Sequence, residues 1–427
     1  MPVNAHKALN SANESCYVKK LKLPKEREDE LRAVRDELRD AIRSGLKDWT
    51  DRFPITEMIT RDAIVALNSE QADITEAFGR PKFRMQGSFS YSTVNDPAKS
   101  KTPPLQIDLD DGMFLPTRYI SRDGALAPSV AADGYFRAVE QLVSDVCEKN
   151  GWTLKQKTSC VRVEIDREAH VDIALYAVPE KEFATLVETA MAQERVIRDG
   201  FMDLRDDDFG NEIYGRLSAD QMRLACRDDD GRGKWIPSDP RKLEDWFRDA
   251  VREHGDQVRF VSRYLKAWRD EQDLAGLASI ALMWAVVEVF KNHQGYRPFS
   301  GRDDLALLAV ARELPEILRQ EIPNPVVSGA RLDQGWTQAD RQTFTAAAIT
   351  LEAQLEAALI TSSTLQTTLK HMLAALGSRF PIDVSLLAGD MAQAVGTVAA
   401  PELLTANLLE TKDERPAVKL GGDERYA

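Results

Sequence analysis

The segment "LQIDLDDGMFLP" constrains the fold more than any other part of the sequence. Its apolar and acidic letters alternate, which predicts a β-strand whose successive side chains point to opposite faces. Asp108 and Asp110 then share one face, and Leu109 and Asp111 share the other. We expect Asp111 to cap a turn at Gly112. Because adjacent carboxylates repel each other unless a cation, a shared proton or open water relieves them, the strand predicts a divalent-metal site.

A third carboxylate lies in a second predicted strand. Asp172 is the only charged residue within the apolar segment "HVDIALYAV". A carboxylate buried there is costly without a partner, and a nucleotidyl-transfer site needs a third acidic ligand on a neighbouring strand to bridge two ions. We interpret His170, two residues earlier, as a strand residue that forms hydrogen bonds rather than as a metal ligand.

Gly87 and Ser88 follow the predicted strand "KFRMQ" and open a short predicted helix. Backbone N–H groups at such a helix start can approach a triphosphate. Each element also has an ordinary explanation: a Gly-Ser turn is common, Asp-x-Asp often occurs in solvated turns, and Asp172 can be a buried, hydrogen-bonded carboxylate. The order of the three elements along the chain favours a phosphate cradle beside a metal site.

The chain divides into an α+β part and a helical part. Apolar residues at three- and four-residue steps predict a long spine helix over residues 23–49, and a second helix is predicted over about residues 56–78. Short alternating segments then predict a mixed sheet, and helices predominate after residue 238. The predicted domains are an N-terminal arm (1–22), a core with the spine helix (23–238), a helical lobe (239–380) and a C-terminal segment with a mobile tail (381–427).

Composition excludes several classes of protein. A net charge of -13 argues against a surface that grips nucleic acid throughout, because phosphate binding needs clustered Lys and Arg. The sequence has no apolar run of the roughly 20 residues that span a bilayer, and the N-terminus lacks the apolar centre of a signal peptide. We therefore expect a cytoplasmic protein with no membrane partner. Four cysteines without metal-ligand spacing are expected to be reduced, partly buried thiols: Cys16, Cys147, Cys160 and Cys226.

Five segments together resemble one protein family: "QGSFSYST", "DLDDGMFLP", "HVDIALYAVP", "SDPRKLEDWF" and "RYLKAWRD". Over nearly its whole length the chain is similar to the bacterial cGAS/DncV-like nucleotidyltransferases, the CD-NTases, which make cyclic oligonucleotide signals in anti-phage defence (CBASS). The Gly-Ser turn and acidic triad alone indicate only the wider polymerase-β-like superfamily. The resemblance implies a polymerase-β-like α+β core with a mixed sheet, a long N-terminal spine helix, a helical C-terminal lobe, and an active site in the cleft between the lobes.

The resemblance also implies roles for individual residues. It makes Asp108, Asp110 and Asp172 the catalytic ligands of two Mg2+ ions. Its implied nucleotide contacts are Gln86, Gly87 and Ser88 at the donor, Lys266 and Ser279 at the donor phosphates, and Arg162 near the acceptor. The alternatives are a solvated lysine for Lys266 and a plain helix cap for Ser279. Tyr91 has two interpretations, a ring that stacks on a base or a core aromatic.

The implied activity is cyclic oligonucleotide synthesis from nucleoside triphosphates with release of pyrophosphate. The resemblance favours ATP and GTP as substrates and a cyclic GMP-AMP as product. The alternatives are a cyclic di- or tri-adenylate synthase, a nucleotidyltransferase acting on tRNA or protein, and a catalytically silent nucleotide-binding scaffold. A basic RNA-binding face would support the second alternative, and none is evident in the sequence.

The resemblance implies two protein partners. A downstream effector would bind the cyclic nucleotide, and a ubiquitin-transfer-like partner would conjugate the chain through the carboxylate of Ala427, in the end segment "KLGGDERYA". An ordinary disordered terminus is the alternative for that segment. We expect a monomer. Activation by double-stranded DNA is not expected, because the chain has no Cys/His cluster and its net charge is negative.

Overall fold

The structure is a computed structural model that describes residues 2–70, 73–74, 79–98, 105–122, 125–180, 222–274, 276–293 and 296–389. Its architecture is α+β, as predicted, with a mixed sheet followed by a helical lobe. The strands are β1 Val3–Asn4, β2 Lys82–Met85, β3 Ile107–Thr117, β4 Tyr119–Arg122, β5 Ala125–Pro128, β6 Thr153–Gln156, β7 Cys160–Glu164, β8 Ala169–Pro179, β9 Arg223–Arg227, β10 Gly233–Pro237 and β11 Ala388–Gly389. The helices are α1 His6–Leu9, α2 Tyr17–Lys20, α3 Lys25–Lys47, α4 Ile55–Met58, α5 Arg61–Ser69, α6 Gly87–Ser90, α7 Ala132–Asn150, α8 Pro240–His254, α9 Gln257–Glu271, α10 Ser279–Asn292, α11 Asp303–Arg319, α12 Gln338–Glu356 and α13 Leu365–Leu376.

The central sheet is built around the parallel pair β3 and β8, the two strands predicted to carry the carboxylates. β2 pairs with the outer edge of β3, and β7 and β9 pair with successive parts of β8, all antiparallel. β6 extends β7, and β10 extends β9. A mixed sheet with a central parallel pair brings residues about 60 positions apart in the chain side by side.

The two faces of the sheet have different environments. On one face, odd-numbered residues of β3 and β8, including Leu109 and Ile173, pack with the apolar stripes of α3 and α7. The even-numbered residues point to the opposite face, towards the helical lobe. The spine helix α3 matches the prediction to within two residues at each end, and its predicted apolar residues are buried.

Asp111 belongs to the packed face, and the predicted turn cap is wrong. β3 continues through this position without a turn, and Asp111 is buried against the spine helix. Arg39 donates to both carboxylate oxygens of Asp111, with N–O distances of 2.6 and 2.8 Å. The pair compensates two charges that would otherwise be buried alone.

The predicted second helix over residues 56–78 is also wrong in its extent. The chain forms the short helix α4 and then leaves the helical conformation at Ile59, which makes an antiparallel bridge to Val130. Thr60 then caps α5, its side chain accepting a hydrogen bond from the backbone N–H of Ala63. Residues 71–72 and 75–78 lie outside the described part of the chain.

Residues 2–22, predicted as an N-terminal arm, pack into the helical lobe. Leu9 and Tyr17 are fully buried in the same apolar core as α9 to α13. The backbone N–H of Ala5 donates to Asp304 at 2.8 Å, and β1 pairs with β11 next to the C-terminal end of the described chain. The helical lobe is therefore completed by the first residues of the chain.

All four cysteines are buried and free, in agreement with the prediction of reduced thiols. Within the described ranges, no helix is both long enough and apolar enough to cross a bilayer. The predicted conjugation residue Ala427 and most of the predicted C-terminal segment lie outside the described residues.

Candidate active site

Strand register brings the predicted acidic residues together. In the parallel pairing of β3 and β8, Asp108 lies opposite His170 and Asp110 lies opposite Asp172. The antiparallel pairing of β7 places Arg162 opposite Asp172. Directly opposed residues point to the same face of a sheet, so three carboxylates, one imidazole and one guanidinium share a small area.

The carboxylates repel one another in this arrangement. Burial, together with the neighbouring charges of Asp108 and Asp172, raises the pKa of Asp110 to about 8. Asp108 keeps 45% of its side chain exposed, whereas Asp172 keeps 12%. Asp110 is therefore the member of the triad that most needs a compensating positive charge.

Arg162 holds the third carboxylate in place. Its Nε donates to Oδ1 of Asp172 at 2.7 Å and its Nη2 to Oδ2 at 2.6 Å. This two-pronged contact fixes the plane of the carboxylate. Arg162 therefore contacts a triad residue, and its expected position near an acceptor nucleotide stays a prediction.

His170 also points into the cluster. Its Nε2 lies 3.0 Å from Oδ1 of Asp108, and its Nδ1 lies 3.2 Å from Oε1 of Gln106. Ligand atoms of Asp108, His170 and Asp172 all lie within 4.8 Å of one another, a spacing that can hold a metal ion. The expected hydrogen bonding by His170 is present at Nδ1.

The residues fit a bound cation. Oδ1 of Asp108 and Nε2 of His170 are both buried and neither makes a hydrogen bond. Orphaned lone pairs of this kind are costly in a protein interior unless a ligand satisfies them. Together with the raised pKa of Asp110, they indicate a donor set shaped for positive charge.

Gly87 is required by the close approach of its backbone to the triad. It has a φ of +60°, and a Cβ added there would lie 1.9 Å from Oδ2 of Asp110. Ser88 occupies the next position of α6. The backbone N–H of Gln86 donates to the carbonyl oxygen of Asp110 at 2.9 Å, which ties the turn to β3. The Gly-Ser turn thus lies directly against the carboxylates.

Gln86 directs its side chain elsewhere. Its amide lies over Gly112, where an added Cβ would be 2.3 Å from Nε2, and its Oε1 accepts a hydrogen bond from the Tyr176 hydroxyl at 3.4 Å. Nε2 of Gln86 is buried without a hydrogen-bond partner. The Gln86 side chain therefore contacts other residues of the sheet.

A cavity of about 370 Å³ opens between the sheet and the helical lobe. It contains both Gly-Ser residues, Asp108 and Asp110 from the sheet side. The helical side contributes Lys266, Arg269, Asp270, Ser279, Ile280 and Met283. Predicted site residues from two distant parts of the sequence thus line one space.

Lys266 is buried at the wall of this cavity. Its Nζ donates to the carbonyl oxygen of Thr93 at 2.8 Å. Burial, together with the positive charge of Arg269, lowers the pKa of Lys266 to about 7. Because burial disfavours the positive charge of this ammonium group, an anionic ligand that reached it would stabilise the charged form. The explanation as a solvated lysine is wrong.

Arg269 and Asp270 line the cavity but were not among the predicted site residues. Nη1 of Arg269 donates to Oγ of Ser279 at 2.7 Å, while its Nε and Nη2 donate to Oδ1 of Asp270 at 2.9 and 2.6 Å. The signal that could have identified them is their spacing, since positions three and four after Lys266 lie on the same face of a helix. Tyr91 lines the cavity and packs its ring on Phe247, at a centroid distance of 5.8 Å.

Two family models match the chain. Residues 81–176 match "Cyclic GMP-AMP synthase DncV-like, nucleotidyltransferase domain", and residues 255–388 match "Cyclic GMP-AMP synthase, C-terminal domain". A cyclic GMP-AMP synthase of Escherichia coli is 30% identical over 348 residues, which cover 74% of this chain and 77% of that protein. The synthase of Vibrio cholerae is 34% identical over 219 residues, which cover 50% of this chain and 48% of that protein.

Solved structures show the same fold. The Vibrio cholerae di-nucleotide cyclase in complex with GTP and 5MTHFGLU2 superposes with a TM-score of 0.72 at 22% identity, covering 91% of this chain and all of that one. The same enzyme in complex with the linear intermediate 5' pppA(3',5')pG gives a TM-score of 0.68 at 23% identity, covering 91% of this chain and 99% of that one.

Proposed function

The chain belongs to the family of DncV-like cyclic GMP-AMP synthases, and we propose that it joins ATP and GTP into a cyclic GMP-AMP with release of pyrophosphate. The Vibrio cholerae relative has been solved with GTP and with a linear pppA–pG intermediate. A relative that holds both bases in one intermediate supports a mixed product for this chain as well.

One observation carries the proposal. Asp108, Asp110 and Asp172 lie on one sheet face in register. Asp110 lies against the Gly-Ser turn, and Asp108 and Asp110 line a cavity between the two lobes. A phosphate-transfer site needs this combination, because it must bind a triphosphate and compensate the charge that develops at the α-phosphate.

The donor triphosphate would bind along the cavity wall formed by both lobes. Gly87 has no side chain between its backbone and Asp110, so the N–H groups that follow it would bind the phosphates next to the triad. Lys266 and Arg269 face them from α9, and the Ser279 hydroxyl, held by Arg269, presents its oxygen in a fixed position. These groups would orient the α-phosphate towards the triad.

The acidic cluster would hold two Mg2+ ions through Asp108, Asp110 and Asp172. Divalent ions supply charge neutralisation of the triphosphate and a lowered pKa of the attacking ribose hydroxyl. Arg162 would hold the Asp172 carboxylate in a fixed orientation on the acceptor side of the site. The Asp110 carboxyl, with its pKa of about 8 in the free protein, gives up its proton when positive charge arrives.

The reaction is an in-line displacement carried out twice. A ribose hydroxyl oxygen of one nucleotide bonds to the α-phosphorus of the other, the bond from that phosphorus to the bridging oxygen breaks, and pyrophosphate leaves with its electron pair. The hydroxyl proton passes to Asp172 or to solvent beside it. The linear product then turns in the same cavity, so that its free hydroxyl attacks the remaining triphosphate and closes the ring.

The test is incubation of the full chain with Mg2+ and all four labelled nucleoside triphosphates, followed by nuclease mapping and mass spectrometry. We expect pyrophosphate release and a cyclic product that requires both ATP and GTP. Full yield from ATP alone would show a cyclic adenylate synthase instead. Absence of pyrophosphate release from the folded protein would support a silent scaffold.

We also propose a biological setting in anti-phage defence, with a downstream effector that binds the cyclic product. In that setting a ubiquitin-transfer-like partner conjugates the chain through Ala427. The support is the family relationship and the end segment "KLGGDERYA", which has no apolar face to bury.

The tail is tested by deleting the last few residues, or by Ala427→Glu, and by following two readouts. Synthesis by the purified enzyme should persist, because no catalytic group of the proposal lies in that segment. Covalent adducts in cells that carry the neighbouring genes should vanish. Adducts that survive the deletion would remove the tail from the proposal.

A further inference from the structure

We infer that His170 is a metal ligand of this site, binding a first-row divalent ion such as Mn2+ through Nε2 together with Oδ1 of Asp108. This deepens the proposed function by identifying a nitrogen ligand beside the three carboxylates. It rests on that function only in that both place divalent ions at the same cluster.

The orientation of the His170 imidazole supports this assignment. The His170 side chain is 6% exposed and lies on the active face of β8. Its Nδ1 is engaged with Oε1 of Gln106 at 3.2 Å, and because an amide oxygen only accepts, Nδ1 carries the proton. Nε2 is then the ring nitrogen that faces the cluster, where it can offer its lone pair to a cation. Histidines that bind metals are commonly oriented in this way, with the other nitrogen donating to an oxygen.

Nε2 of His170 faces a carboxylate oxygen. It lies 3.0 Å from Oδ1 of Asp108, yet neither atom makes a hydrogen bond, and both atoms are buried. Either a proton on Nε2 or a cation between the two atoms must relieve this contact. A divalent ion satisfies both atoms at once and brings in Asp172, because ligand atoms of all three residues lie within 4.8 Å of one another.

The distance between Nε2 of His170 and Oδ1 of Asp108 indicates the coordination geometry. In octahedral coordination with ligand distances of about 2.1 Å, adjacent ligands are about 3.0 Å apart. Tetrahedral zinc with ligands at about 2.0 Å would need a separation of about 3.3 Å. The observed 3.0 Å therefore fits two neighbouring positions of an octahedral ion.

The consequence is a change in metal preference. Carboxylates alone suit Mg2+, whereas an imidazole nitrogen favours the first-row transition metals over Mg2+. A site with His170 as ligand should therefore bind Mn2+ more tightly than an all-oxygen triad would. Replacement by a residue without a ring nitrogen should weaken Mn2+ binding more than Mg2+ binding.

The experiment measures metal binding without turnover. Mn2+ alone is added to the full chain, its dissociation constant is measured by electron paramagnetic resonance, and pulsed spin-echo modulation reports directly bonded nitrogen. Wild type is compared with His170→Asn and His170→Ala. The matched control is His371→Asn, a partly buried histidine on α13 that is hydrogen-bonded to Gln354 in the helical lobe.

We expect a nitrogen signal in wild type and in His371→Asn, and its loss in both folded His170 variants, with Mn2+ affinity at least tenfold lower and Mg2+ affinity less affected. Mn2+ bound by wild type without a nitrogen signal would overturn the inference, as would no Mn2+ binding at all. The nitrogen signal in a protein that makes no cyclic product would refute the proposed function and leave the ligand assignment standing.

Discussion

Two adjacent aspartates on β3 have opposite tasks because a strand alternates its faces. Asp110 points to the cavity and is crowded by the other carboxylates, whereas Asp111 points to the spine helix and is neutralised by Arg39. The first contributes to chemistry at a cost in stability. The second contributes to stability and has no contact with the cavity.

Exchanging each for Asn should separate the two tasks. Asp110→Asn should fold normally and lose activity by several orders of magnitude, because a ligand and its charge are removed. Asp111→Asn removes the carboxylate charge that faces the buried Arg39 guanidinium and should cost about 3–5 kcal/mol of unfolding free energy. Pyrophosphate release and urea unfolding on both variants check this. Near-normal synthesis by Asp110→Asn, or wild-type stability of Asp111→Asn, would contradict it.

Lys266 should give the protein a distinctive pH dependence. Burial lowers its pKa from 10.5 to about 7, so between these values the unfolded chain binds the proton and the folded chain does not. The unfolding free energy contributed by this group therefore rises as pH rises from about 7 to about 10.5. The KM for ATP should also rise above pH 7, because the ammonium charge is lost.

Lys266→Met removes the titrating group and should flatten both profiles. Urea unfolding and initial rates, each measured from pH 6 to pH 10, provide the data. The same pH slope in the variant and in wild type would assign the effect to another group.

At the scale of elements, the Gly-Ser turn places backbone atoms directly against a carboxylate of the triad. Gly87 and Gly151 both have positive φ, but only Gly87 faces a neighbour, Oδ2 of Asp110. A Cβ at Gly151 would meet nothing within 4 Å. The two glycines therefore form a matched pair for testing the close approach.

Gly87→Ala should lower kcat by roughly a hundredfold, because it pushes Asp110 out of position by an ångström or more. Gly151→Ala should keep full activity and lose only about 1–2 kcal/mol of stability from its left-handed backbone. Rates and thermal unfolding of both variants are the measurement. Equal activity of the two variants would refute a positional role for Gly87.

Periodicity predicted the long elements and several short strands, but not the break between α4 and α5 or the short helices α1 and α2. The spine helix was predictable because its apolar stripe repeats over six turns, and β3 and β8 because their letters alternate. The break at Ile59 was not, since it depends on a bridge to Val130, 71 positions away. Helices of four residues, such as α1 and α2, carry too few turns to show a period.

The site was predictable in the same sense. Alternation alone assigned Asp108 and Asp110 to one face, whereas the Asp111 partner required knowing which helix covers the other face. The contact of Arg162 with Asp172 depends on strand register, and that of Arg269 with Ser279 on the packing of two helices. Neither is visible in a linear pattern.

At the scale of the molecule, one loop joins the two lobes at the cavity. Nδ2 of Asn95 donates to the carbonyl oxygen of Arg263 at 2.9 Å, and its Oδ1 accepts from Nε of the same residue at 3.0 Å. Burial lowers the pKa of Arg263 to about 10. Next to this contact, Lys266 holds the carbonyl oxygen of Thr93. These polar contacts to loop residues tie the two lobes together beside the cavity, in addition to the buried ion pair of Arg84 with Glu244.

Asn95→Ala should destabilise the protein by about 3 kcal/mol, because it leaves a buried guanidinium with one contact fewer. It should also raise the KM for nucleotides several-fold, since Asn95 lines the cavity. Asn150→Ala is the control, an exposed asparagine at the end of α7, and should change stability by about 0.5 kcal/mol or less. Urea unfolding and initial rates distinguish them, and equal effects of the two variants would contradict the assigned role of Asn95.

The packing of residues 2–22 into the helical lobe also means that these residues can reach their final contacts only after the rest of the lobe has been synthesised. The Tyr17 hydroxyl donates to the carbonyl oxygen of Leu376, 359 positions later. At about 5–20 residues per second, a ribosome needs on the order of 20–70 s to make the intervening chain. During that interval Leu9 and Tyr17 lack the core that later buries them, so the nascent N-terminal segment is a natural substrate for chaperones.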